Sequence, residues 1–100
     1  MTDLEVNEQL ALAIGWKPEQ IKVLGLTISL PDERLFPNGP RRIFDYRDPA
    51  VIWPIAERYD CFPIKQRNGK WRAWVGFDQV MHTSHTAAKA VALAVIENAK

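Results

Sequence analysis

Cysteine is almost missing from this chain. Cys61 stands alone among 100 residues, which excludes an intrachain disulfide and a thiolate metal cluster and fits a reducing compartment. Long apolar runs are missing too: "AVALAVI", Ala90 to Ile96, is far too short to cross a bilayer, so no membrane partner is expected. The opening "MTDLEVNE" is acidic where a secretory signal would be basic, and the expected setting is a soluble intracellular one. An excess of charge is also lacking, because 13 Lys and Arg against 12 Asp and Glu leave a net +1. Global charge therefore gives no reason to expect a polyanionic partner. The glycines at 15, 25, 39, 69 and 76 form no phosphate-binding fingerprint, and no repeat or low-complexity tract is present.

What is present suits one globular domain spanning 1–100, with 47% hydrophobic and 25% charged residues. From Asp3 to Ile14 the apolar positions Leu4, Val6, Leu10, Ala11, Ala13 and Ile14 collect on one helical arc, with Gly15 as the stop. Trp16 is expected to close the end of the core. "IKVLGLTISL", Ile21 to Leu30, alternates as a strand does, and Gly25 permits a bulge or break in it. Residues 31 to 42, "PDERLFPNGPRR", read as a long ordered loop, either packed by Leu35 and Phe36 or used as a contact surface. In "DYRDPAVIWPIAERY", Asp48 can cap and Pro49 can occupy the first helical position, with Ile52, Ile55, Ala56 and Tyr59 on one face. Pro54 leaves two alternatives open, a kinked helix from Pro49 or a helix beginning near Trp53.

Asn68 and Gly69 suit a two-residue hairpin turn. That turn pairs Lys65 with Arg72 and Ile64 with Ala73. Phe62, Ile64, Gln66, Trp71, Ala73 and Val75 then make a core face, while Pro63, Lys65, Arg67, Lys70, Arg72 and Trp74 make a basic one. A last helix follows a cap at Thr83 or Ser84, with Ala88, Val91, Ala92, Val95 and Ala99 as its apolar stripe, widened by Leu93 and Ile96. The expected fold is α+β: an antiparallel sheet of about three strands packed by three helices, in the order α-β-α-β-β-α.

No motif carries catalysis, and no cofactor is expected. Asp78, His82 and His85 with Cys61 contain metal-binding residue types, but no second motif closes a ligand set. Cys61 and the histidines have no spacing that implies a nucleophilic pair. Asp45, Asp48, Glu57 and Asp60 do not form an acid–base pair by spacing alone. The binding candidates are Lys65, Arg67, Lys70, Arg72 and Trp74 on the hairpin, with Leu35, Phe36, Arg41 and Arg42 in the middle loop.

The helix ending in "GW" at Gly15 and Trp16, the Pro-rich middle, "DYRDPAVIWPIAE" and the terminal "HTAAKAVALAVIE" resemble small bacteriophage proteins with an alpha-beta-alpha sandwich domain. Asp45, Tyr46, Ala50, Trp53, Thr86, Ala87, Ala90 and Leu93 carry the resemblance along with that first pair. It implies a phage or prophage accessory protein in the host bacterial cytoplasm but carries no activity with it; the expected function is non-enzymatic binding of a bacterial protein, which it modulates or inhibits through the hairpin or the middle loop. The alternative expectation is nucleic-acid binding, with phosphates on the same basic hairpin face and a base stacked on Trp74. A solvent-exposed Trp74 beside an open strand edge would favour a homodimer.

Overall fold

Helix α1 (Asp3–Ala13) starts where Thr2 leaves the helical backbone and caps it. The Thr2 hydroxyl accepts from the Glu5 amide at 3.2 Å, and the Glu5 carboxylate accepts from the Thr2 amide at 3.3 Å. The Thr2 amide first, and then the Thr2 hydroxyl donating to the same carboxylate at 3.0 Å, hold the Glu5 carboxyl below its ordinary range. The helix ends on Gly15, whose φ of +108° suits a residue without a Cβ. Gly15 N–H donates to Leu12 O and Trp16 N–H to Ala11 O, closing the last turn. Trp16 is half-buried.

The computed structural model describes residues 1–31, 41–76 and 82–99. They fall into two units, Met1–Asp45 and Tyr46–Lys100. In the first unit, α1 and a short 3-10 turn (Pro18–Gln20) precede β1 (Lys22–Leu24), β2 (Thr27–Pro31) and β3 (Arg41–Phe44). These strands form one antiparallel sheet in the order β1-β2-β3, with α1 packed on β2. Val6, Leu10, Ala11, Ile28, Leu30, Pro31 and Phe44 are among its buried residues. Asn7 is buried among them and donates from Nδ2 to Leu26 O at 3.2 Å, satisfying a carbonyl of the β1–β2 loop.

In the second unit, α2 (Pro49–Arg58) is followed by β4 (Ile64–Lys65), β5 (Trp71–Ala73), β6 (His82–Ser84) and α3 (Ala87–Asn98). The strands pair antiparallel in the order β4-β5-β6, and α3 packs on β5, β6 and α2. Small side chains allow that approach: Ala90, Val91, Ala92, Ala94, Val95 and Ile96 of α3 are all buried.

The α+β class expected from the sequence is the class observed, with three α-helices and six strands in two three-stranded antiparallel sheets among the described residues. The extra strands have local causes. The Ile21–Leu30 segment is not one strand but a hairpin, because Leu24 pairs with Thr27 across the two-residue loop Gly25–Leu26. Gly25, at φ +66°, takes the first loop position that favours glycine. The last helix is capped by Thr86, whose hydroxyl accepts from Lys89 N–H at 3.1 Å, so Thr83 and Ser84 belong to a strand instead. For α2, the alternative starting at Pro49 is the one observed: Asp48 Oδ1 accepts from Ala50 N–H at 3.0 Å, and the helix runs through Pro54. Pro54 can give no hydrogen bond to Ala50 O; both residues are exposed, and water can reach that carbonyl.

Replacing Pro54 by Ala restores that bond without removing core packing. The expected result is a gain of about 1–2 kcal/mol in urea unfolding, the restored helical turn outweighing the looser unfolded chain.

Candidate functional site

The hairpin of β4 and β5 turns through three residues, not two. Gln66 N–H donates to Lys70 O at 2.7 Å, and Gly69 N–H donates to Gln66 O at 3.1 Å, so Arg67, Asn68 and Gly69 form the loop. Gly69 has φ +84°, the left-handed conformation that follows a type I turn in such loops. Asn68 Oδ1 accepts from Lys70 N–H at 3.0 Å and braces the loop from within.

One extra loop residue changes the register. Ile64 pairs with Arg72 and Lys65 with Trp71, where the two-residue turn would have paired Ile64 with Ala73 and Lys65 with Arg72. Residues directly opposite share a face, so this slip exchanges the faces of one strand relative to the other. Lys65 therefore sits on the face of Trp71 and Ala73, and its Nζ lies 6.0 Å from the Trp71 ring centroid. Ile64 joins Arg72 and Trp74, and the Arg72 guanidinium carbon lies 5.9 Å from the Trp74 ring centroid.

The expected core face is corrected in the same way. Ala73 is fully buried, but Phe62 is 58% and Ile64 41% exposed. The expected basic face is divided: Lys65 is on one side, Arg72 and Trp74 are on the other, and Arg67 and Lys70 lie in or beside the loop. The third strand extends the first side, since Ala73 pairs with His82 and Trp71 with Ser84. Arg72 Nε and His82 Nε2 are buried without a hydrogen-bond partner.

The middle-loop candidates separate similarly. Leu35 and Phe36 lie outside the described residues. Arg41 is in β3, where it clamps the sheet: Nε donates to Ser29 Oγ at 2.9 Å, and Nη2 donates to Ser29 O at 2.7 Å and to Gln20 O. Arg42 is exposed on the same strand. Sequence reasoning missed another feature of this unit, the large exposed side chains of Val23, Leu24, Leu26 and Ile43. The "LGL" at Leu24 to Leu26 was the available signal for a two-residue hairpin loop.

Chemical groups elsewhere do not converge. Among the described residues no cluster of three His, Cys, Asp or Glu side chains could hold a metal ion, and Asp78 lies outside those residues. His82 is in β6 and His85 in the bend after it, so they do not share a helical turn. Among the described residues no helix is long and apolar enough to cross a membrane.

Cys61 is placed by the end of α2. Asp60 adopts φ +51°, Asp60 N–H donates to Glu57 O, and Cys61 N–H donates to Ala56 O at 2.9 Å. This turn drives the cysteine side chain inward, and Cys61 is fully buried. Burial, with the neighbouring Asp60 carboxylate adding to it, pushes the thiol up to about 11 from its ordinary 9.0. The thiolate needed by a nucleophile is therefore scarce at neutral pH. The raised value also makes a prediction. Between the two values the unfolded chain loses the thiol proton first, so this group's contribution to stability falls as pH rises through that window. Urea unfolding at about pH 8 and about pH 10.5 should show the stability difference between wild type and Cys61→Ala shifting against the wild type at the higher pH. A difference that stays constant contradicts the assignment.

Comparison with protein-family models, with curated proteins and with solved structures found no match to this chain.

Proposed function

We propose that the chain is a non-enzymatic binding protein whose partner is another protein, engaged through the β4–β5 hairpin. The observation that carries this reading is the pairing of Ile64 with Arg72. It sets an exposed aliphatic side chain beside an arginine and a tryptophan, with exposed Phe62 just before β4. Arginine and aromatic residues supply much of the energy of protein interfaces, and their contacts are strongest where apolar neighbours exclude water. Arg67 and Lys70 flank this face at the loop. The resemblance to phage alpha-beta-alpha sandwich proteins extends the proposal to its setting: an accessory protein in the host bacterial cytoplasm, modulating or inhibiting a bacterial protein.

The nucleic-acid reading of the same hairpin needs cations aligned along a backbone. The observed register works against such a row, because it sends Lys65 to the opposite face from Arg72. Trp74 lies beside Arg72 at cation–π distance, an arrangement equally suited to a protein contact.

Quantitative recovery of bound proteins from bacterial lysate tests the choice of surface. Ile64→Glu and Trp74→Ala should each reduce recovery of a specific partner by roughly tenfold or more, and Lys65→Ala should leave it unchanged. Circular dichroism identifies any variant that has lost its fold. Folded Ile64→Glu and Trp74→Ala proteins that retain every specific partner would exclude this face. Saturable, strongly salt-dependent binding to short DNA or RNA would instead support the nucleic-acid reading.

A further inference from the structure

We propose that the edge of β1, unpaired among the described residues, accepts an added strand from a partner protein, in an extended segment carrying two adjacent apolar residues followed by Asp or Glu. This goes beyond the hairpin surface, since it uses a different sheet in the other unit. β1 is an edge strand in the order β1-β2-β3. Across a two-residue hairpin loop, Leu24 and Thr27 form the hydrogen-bonded pair, which turns the N–H and C=O of the preceding Val23 away from β2. Those two groups offer hydrogen bonds to a further strand.

The side chains suit the same use. Val23, Leu24 and Leu26 are between 53% and 60% exposed. Edge strands are commonly blunted by brevity, by lysine, by proline or by a covering segment, and β1 has the first two in its three-residue length and Lys22. β1 contains no proline, and all three of its residues are exposed. Val23 shares the face of Ile28, while Lys22 and Leu24 share the other face with Ser29 and Thr27. An incoming antiparallel strand therefore meets Leu24, then Val23, then Lys22, which reads as apolar, apolar and acidic.

Charge selects the acidic position. The three strands, KVL, TISLP and RRIF, contain Lys22, Arg41 and Arg42 but no carboxylate. A segment with Asp or Glu opposite Lys22 pairs with it across the strands, and one with Lys there is repelled by it. Backbone bonding along the edge supplies affinity and the alternate side chains supply selectivity, as in other cases of strand addition.

The test is a nitrogen-15 NMR titration of the full chain with the synthetic peptide Ser-Thr-Ile-Val-Glu-Thr-Ser. Saturable shifts are expected at the Val23 and Leu24 amides, with slower hydrogen exchange at Val23. Replacing the peptide's Glu by Lys should weaken binding roughly two- to fivefold, and Lys22→Glu should reverse that preference. Val23→Pro, which removes the outward N–H, should weaken binding by roughly tenfold. If the proline variant unfolds, the Lys22→Glu reversal still decides the matter. Shifts that bypass β1, equal affinity for both peptides, or protection of Val23 that grows with protein concentration alone would overturn the proposal, the last by giving the edge to a second copy.

Discussion

The positive φ of Gly69 is the constraint on which the candidate hairpin surface depends. A residue at +84° closes the three-residue loop and lets Gln66 and Lys70 bond across it. Asn68 reinforces the geometry through Lys70 N–H. Because strand side chains alternate, the parity of this loop determines which residues share a face. A two-residue loop would place four cations together. The observed loop divides them and brings Ile64 to the side of Arg72 and Trp74.

The same dependence of side-chain placement on backbone turns recurs through both units. At the end of α2, Asp60 bears a left-handed conformation without being glycine, and the turn carries Cys61 into the interior. That cost, about 1 kcal/mol for a residue with a Cβ, is offset by the two bonds closing the helix and by Gly76 N–H donating to Asp60 O at 3.0 Å. In the first unit, Gly25 turns β1 back onto β2 and leaves an apolar edge. Asn7 secures that turn from the helix side, and Arg41 secures the far end of the sheet through Ser29. Fully buried Ala73 in the second sheet and Ile28 in the first anchor the sheets against their own helices.

The helices were the legible part of the sequence because their signals are local. Gly15 and Trp16 specify the end of α1 and the small residues of α3 its buried stripe within a few positions, while Pro54 left the start of α2 open despite Asp48 and Pro49. The strands were less legible because short-range chemistry permits more than one loop. Asn68 and Gly69 serve a two-residue or a three-residue hairpin, and only pairing with the rest of β5 distinguishes them. Thr83 and Ser84 are good caps by type, yet Thr86 holds the helix start and the earlier residues pair with β5. Arg41 looked like a loop contact because its partners, Ser29 and Gln20, are remote in sequence. For the candidate surface, residue types were legible but their grouping was not. Ile64 was assigned inward by the same parity error that put Lys65 beside Arg72.

Alpha-proton contacts across the hairpin measure this parity directly. In an antiparallel pair, close contact between opposing alpha protons marks the non-hydrogen-bonded positions. The three-residue loop makes Lys65 and Trp71 such a pair, since Gln66 and Lys70 bond on one side and Ile64 faces Arg72 on the other. A strong nuclear Overhauser effect between the alpha protons of Lys65 and Trp71 is predicted. A strong effect between Gln66 and Trp71 instead would restore the two-residue loop, reunite the cations on one face and contradict the account.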